Sequence, residues 1–357
     1  MAFEKYNSTI NGIRGLAILS VFFFHLEFLF FQGGFIGVDI FFVISGYLIS
    51  KSIIHKIENK IFSFKEYLVG RVKRIVPSYL LIIFISFILI SSIFTDDHYK
   101  YSLKEVLYAL FFFQNIYYWD QSGYFGLENL YKPLLNTWSL GIEVQFYLFF
   151  PFLFFIFRKK IIILIIISLF LSIFYVDRNF SYFILPTRFF EFGIGIALSF
   201  VHVSNKKNKF QILANLFFVL GLFAVFFSIL YLNADKSFPG INALIPCAGV
   251  AILILCSRSA NYNCIIDNRF FNFFGDISYS LYLIHWPLII FYKYLFMKIN
   301  LTFFDQFFIF FISILLAYYN TIYFENYFYK KNTTKIFLST KNLTIFYFFF
   351  IFVVLIS

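Results

Sequence analysis

Charge is scarce in this chain of 357 residues, and acidic charge is scarcer still: 13% of residues are charged, with 18 Asp and Glu against 29 Lys and Arg. A soluble domain of this size needs more charge than that, so the soluble class is excluded. Cysteine is nearly absent as well. Cys247, Cys256 and Cys264 are odd in number and show no C-x-x-C spacing, so neither a disulfide framework nor a cysteine metal knuckle is indicated, and no metal is expected. What fills the chain is apolar: 61% hydrophobic residues, 61 Phe among them, and a mean hydropathy of +0.82. That composition specifies an all-α, polytopic transmembrane helical bundle.

Eleven apolar runs stand out, at roughly 10–31, 35–54, 76–95, 138–157, 160–176, 183–203, 211–232, 239–257, 275–296, 301–324 and 342–357, so about 10–11 spans are expected. The first is no cleaved signal peptide, because it holds Arg14, His25 and Glu27 and lacks a small-residue cleavage site. Basic residues concentrate in alternate connections. Lys5 and Arg14, the seven between Lys51 and Arg74, Arg158–Lys160, Lys206, Lys207, Lys209, Arg258, Arg269 and the four from Lys330 to Lys341 make 21 of the 29. The other connections carry Asp96, Asp97, Asp120, Glu128, Asp177 and Asp235. The positive-inside rule therefore predicts a cytoplasmic N-terminus, and charge arranged this way reads as membrane topology, with no nucleic-acid partner. Residues 96–137 form the long outer loop, rich in Tyr, Asn and Trp, suited to a cap or a sugar-facing surface. Residues 56–76 read as an amphipathic cytoplasmic helix lying on membrane lipids. The last run, 342–357, reads as an additional C-terminal span that either is truncated before an extracytoplasmic domain or ends there.

Polar residues inside apolar runs are the functional candidates, since ionisable groups in a bilayer are costly. Arg14 and His25 lie eleven residues apart; at about 100° and 1.5 Å per residue they share a helix face, about 16 Å apart along the axis. The bland reading is a snorkelling anchor and a packed histidine. The functional reading makes His25 a general base or transient acyl carrier, with Arg14 binding an anionic or carbonyl-bearing cofactor. Asp39, in GGFIGVDIFFVISGYLIS, either orients His25 or caps its own helix. Arg71 and Arg74, three apart with Lys73 beside them, are either a lipid-headgroup anchor or a phosphate clamp. Ser139, Glu143 and Tyr147 recur every four residues on one face. Glu143 is either paired with Arg188, which has Glu191 three residues on, or is a second acid/base or the carboxylate that polarises His25. Asp276, Ser278, Tyr279 and His285 form a further polar cluster, with His285 read as structural or substrate-side.

Taken in order, these strings resemble the acyltransferase-3 family of membrane acyltransferases over nearly the whole chain. The resemblance is carried by the R-x(10)-H pair, GGFIGVDIFFVISGYLI, the R-x-x-R pair before Pro77, PLLNTWSLGIEVQFYLFFP, LPTRFFEFGIG and FGDISYSLYLIHWP. The family's double Glu after WSL is Glu143-Val144 here, which favours Glu143 and weakens a mechanism needing two carboxylates there. On this resemblance, residues 1–341 are the acyltransferase domain of a bacterial inner-membrane protein. The implied reaction is O-acylation, commonly from cytoplasmic acetyl-CoA, of a surface polysaccharide, lipopolysaccharide or lipid-linked glycan. Arg14, Arg71 and Arg74 would hold the acyl-CoA and His25 with Glu143 would serve the transfer, while Asp39, Ser139, Arg188 and Glu191 orient or support. The similar subgroup carries an SGNH-type domain outside the membrane; here that domain is either missing or replaced by a separate protein. The rival readings are a transporter or flippase for a lipid-linked sugar or small anion, which predicts repeats that the chain does not clearly show, and an inactive membrane scaffold.

Overall fold

The computed structural model describes residues 8–121, 124, 131–175, 177–201, 211–233, 236–257 and 261–330, and near the C-terminus Tyr347, Phe350, Ile351 and Val354. Lys5, Lys206, Lys207, Lys209, Glu128, Asp235, Arg258, Lys331, Lys335, Lys341 and most of run 342–357 lie outside the described residues. In chain order the helices begin with α1 (Ser8–His25), α2 (Gly37–Glu58), α3 (Phe64–Ile93), α4 (Asp96–Leu110) and α5 (Gln114–Trp119). Next come α6 (Trp138–Phe157), α7 (Ile161–Phe174), α8 (Arg178–Phe183), α9 (Leu185–Ser199) and α10 (Gln211–Tyr231). The last are α11 (Gly240–Cys256), α12 (Arg269–Asp276), α13 (Ser278–Leu295), α14 (Phe303–Tyr319), a π-helical turn (Asn320–Glu325) and α15 (Asn326–Lys330).

Each of the first ten apolar runs coincides with a helix, and no strand occurs among the described residues. Among the described residues, four helices are by themselves long and apolar enough to cross a membrane: Gly34–Glu58, Phe64–Ile93, Gln211–Tyr231 and Phe303–Phe328. The protein is an all-α, multi-pass membrane protein. The chain falls into two compact units, each built from two segments. One comprises Met1–Phe62 with Phe146–Ser278, the other Ser63–Gln145 with Tyr279–Ser357.

Two expectations are corrected at this level. The first apolar run is not one helix to residue 31. α1 stops at His25, because Glu27 adopts a left-handed backbone (φ 63°) and Leu29–Phe31 form a short 3-10 turn. Nor is 56–76 one separate helix. α2 runs on to Glu58, Lys60 turns left-handed (φ 57°), and Ser63 caps a new helix by accepting from the Glu66 N–H at 3.4 Å. That helix, α3, continues to Ile93, so Arg71 and Arg74 ride on its second and third turns rather than on a surface helix. At 30 residues α3 is about 45 Å long.

In the first unit, α2 and α9 pack backbone to backbone. A Cβ at Gly46 would collide with the Phe192 carbonyl oxygen, and one at Gly195 with that of Val43. Such contact is what small residues permit where no hydrophobic effect drives helices together. Phe192 is stacked between Phe42 and Phe146, at ring separations of 4.4 and 4.2 Å. α1 leans on α12 in the same way through Gly15 and Gly275, and through Gly12 on Ile266 just before that helix. Polar bonds hold that seam in register: Ser8 Oγ to Asp267 at 2.6 Å, and Asn11 Nδ2 to the Asn272 carbonyl at 2.9 Å and to Asp276 at 3.0 Å.

In the second unit, the Tyr79 hydroxyl of α3 donates to the Ala109 carbonyl at 3.0 Å and accepts from Gln114 Nε2, tying α3 to α4 and α5. Phe350 packs its ring against Phe84 and Phe87. The helices of 96–137 enclose Glu105, 2% exposed, whose carboxylate accepts from the Leu134 N–H at 3.5 Å and lies beside the Tyr118 hydroxyl. Burial pushes this carboxyl up to about 8, against the opposing pull of the Leu134 N–H, Lys132 and Tyr118. Between the ordinary carboxylate range and about 8 the folded state keeps a proton that the unfolded state has lost, so stability falls as pH rises through that window. The melting temperature of detergent-purified protein is therefore expected to drop by several degrees from pH 5 to pH 8.5, and Glu105→Gln to flatten that slope.

Candidate active site

The first unit holds Arg14, His25, Asp39, Arg188 and Glu191 among the residues singled out from sequence. Arg14 and His25 sit on the single helix α1, so their axial offset of about 16 Å stands. Arg14 is half-buried, and its Nη2 donates to the Ser278 Oγ at 2.7 Å, beside the α12 seam. His25 is the final residue of α1 and is 8% exposed, with its ring tilted against Phe24.

Asp39 neither orients His25 nor caps α2, whose N-terminus has no side-chain cap. It bonds instead to Arg188: Nη1 meets Asp39 Oδ1 at 2.8 Å and Glu191 Oε1 at 2.6 Å. The guanidinium also donates from Nε to the Tyr182 carbonyl at 2.9 Å and lies over the rings of Tyr182 and Phe238. Asp39, Arg188 and Glu191 are each no more than 1% exposed. The reason is local. Pro186 starts α9, which sets Arg188 and Glu191 one turn apart, and the Gly46/Gly195 contact brings Asp39 across to them. Arg188 thus has its carboxylate partners within the first unit, on α2 and on its own helix.

The second unit holds Arg71, Arg74, Ser139 and Glu143. Arg71, Arg74 and Glu143 are half-buried, and three tyrosines collect them, Tyr67 and Tyr282 buried and Tyr279 half-buried. Tyr67, 5% exposed, lies in the field of both Arg71 and Glu143, and the Arg71 guanidinium sits 6.0 Å from its ring centre. Tyr279 lies in the fields of Glu143, Arg74 and a carboxylate the sequence reading did not single out, Glu325. Its hydroxyl donates to the Ile75 carbonyl at 2.7 Å. Tyr282 lies near Glu143, and its hydroxyl is 2.7 Å from Ser139 Oγ and 2.8 Å from the Asn136 carbonyl. Ser139 therefore positions a tyrosine. His285, fully buried, bonds through Nδ1 to the Leu281 carbonyl at 2.9 Å, in keeping with a structural part.

Two guanidiniums three residues apart can grip a phosphate, and a carboxylate among hydroxyls can take or hand on a proton. The signals for Tyr67 and Tyr282 were faint in sequence, since tyrosine is common here at 26 copies. That for Glu325 was a lone carboxylate directly after the end of run ten.

The chain matches the family described as an acyltransferase domain over residues 7–357 and belongs to that family. It is 32% identical over 317 residues to the peptidoglycan O-acetyltransferase OatA of Listeria monocytogenes, covering 80% of this chain and 50% of that protein. It is 29% identical over 319 residues to the putative peptidoglycan O-acetyltransferase YrhL of Bacillus subtilis, covering 80% and 49%. An uncharacterized protein of Haemophilus influenzae is 32% identical over 243 residues, covering 63% of this chain and 99% of that one. The chain spans about half the length of OatA and YrhL. No solved structure matches it.

The Asp39–Arg188–Glu191 cluster generates a prediction. Removing one member of a buried ion pair strands the others, at a cost of about 3–5 kcal/mol. Arg188→Met is expected to give little monodisperse protein on fluorescence-detected size exclusion. The triple variant Asp39→Asn, Arg188→Met, Glu191→Gln should recover much of it, because no charge is then stranded.

Proposed function

We propose that this chain is an integral-membrane O-acyltransferase of a bacterial inner membrane. It moves an acyl group, acetyl in the first instance, from cytoplasmic acyl-CoA to a hydroxyl of a surface polysaccharide or lipid-linked glycan. The observation that carries this reading is the grouping of the Arg71/Arg74 pair with Glu143 around buried Tyr67 and half-buried Tyr279. It is supported by membership of the acyltransferase family and by relatives named as peptidoglycan O-acetyltransferases. Peptidoglycan is accordingly the first acceptor to test.

In this reading Arg71 and Arg74 grip the phosphates of the donor, and Arg14 adds a third guanidinium. His25 takes the proton of the acceptor hydroxyl as its oxygen attacks the thioester carbonyl; a C–O bond forms, the C–S bond breaks, and the proton passes to the CoA thiolate. Glu143 serves as the carboxylate of the transfer. An acyl relay through His25 would divide the same balance into two steps. An SGNH-type domain, fused or separate, would take part on the acceptor side.

Two measurements test this. Base-labile acetyl on the surface glycans of cells carrying His25→Ala should fall about a hundredfold or more against wild type, the scale of a lost general base. Unchanged acetylation would refute the assignment. Purified protein given labelled acetyl-CoA alone should keep covalent label if the relay operates; none at saturating donor leaves direct transfer.

A further inference from the structure

After α14 the helix changes form. Asn320–Glu325 is a π-helical turn, the one such turn among the described residues. In an α-helix, five residues at 100° would place Glu325 about 140° around from Asn320. The i→i+5 bonding of a π turn brings positions five apart back toward one line, and such turns recur at functional sites. Here it builds a polar knot on a helix whose other faces show Phe307, Phe308, Phe311 and Leu315 to the outside. Asn320 Nδ2 and Thr321 Oγ1 each donate to Ser280 Oγ at 2.8 Å, and Ser280 Oγ donates to Glu325 Oε2 at 3.0 Å. Ser280 is fully buried at the start of α13.

The next residue back on α13 is Tyr279. Its hydroxyl holds the Ile75 carbonyl at 2.7 Å, one residue beyond Arg74 and two before Pro77. Pro77 has no N–H to give, so α3 lacks one ladder bond at this point and is free to bend there. The Tyr279 bond is one restraint on α3 at this point. A line of contacts therefore runs from Glu325 through Ser280 to Tyr279 and on to the turn of α3 that carries Arg74.

We propose that Glu325 is a positioning residue for the acyl-donor clamp: the π turn holds it against Ser280, which fixes Tyr279 on Ile75 and so sets the aim of Arg74. The proposal rests on reading Arg71 and Arg74 as that clamp.

The test is equilibrium binding of radiolabelled acetyl-CoA to the full chain in detergent, with melting temperature measured on the same samples. Glu325→Leu, which removes the acceptor, is expected to raise Kd about tenfold, the loss of one hydrogen bond to a charged group. Ser280→Ala should do the same, and the double variant should bind no worse than either single one. Glu325→Gln, which keeps an acceptor oxygen, should bind close to wild type. A folded Glu325→Leu with Kd within about twofold of wild type overturns the proposal. Should Glu325→Leu not fold, Ser280→Ala decides, because unchanged affinity there breaks the line at its middle. Wild type that binds no acetyl-CoA overturns the donor reading itself, an outcome distinct from variants that bind as well as wild type.

Discussion

A guanidinium buried between two carboxyls is the constraint on which the first unit depends. Arg188 has no water to fall back on, so its bonds to Asp39, Glu191 and the Tyr182 carbonyl must all be in place together. They can be in place only if α2 and α9 approach as closely as Gly46 and Gly195 allow. Close packing and charge pairing are thus two faces of one condition. α2 fixed in this way also fixes the turn that leads back to α1, where the Gly33 N–H bonds to the Ile229 carbonyl at 2.8 Å and His25 ends the helix.

The second unit handles charge differently. Asp39, Arg188 and Glu191 are sealed, whereas Arg71, Arg74 and Glu143 remain half-buried around tyrosines. A sealed cluster is at rest, since any new partner would have to displace an old one. Half-buried arginines and a half-buried carboxylate keep part of their surface open to a new partner. That contrast in burial is why catalytic and binding roles are sought among the second set and structural ones in the first cluster.

Much of the fold was legible in sequence because hydropathy alone locates helices in a membrane protein, and ten runs became ten helices. What hydropathy cannot see is backbone hand. Leu26–Phe31 is as apolar as the residues before it, yet Glu27 at φ 63° ends α1 at His25. The break at Lys60 was hidden by a long basic stretch, although Ser63 with Glu66 three residues on was a readable helix start. Arg188 and Glu191 were recognisable as a pair by spacing; Asp39, 149 residues away from Arg188, was not recognisable as the third member. Glu325 escaped because a π turn groups residues by five, a period that no helical pattern search expects.

The length of α3 has a physical corollary. At about 45 Å it exceeds the roughly 30 Å hydrocarbon layer, and Arg71 and Arg74 share this rod with Ile85 and Ile88, which face outward. A long helix meets a thinner bilayer by tilting or by bending at a weak point, and Pro77 lies just past the arginines. The height of the guanidiniums above the membrane plane is therefore set partly by the lipids. Bilayer thickness becomes a variable of where Arg71 and Arg74 stand.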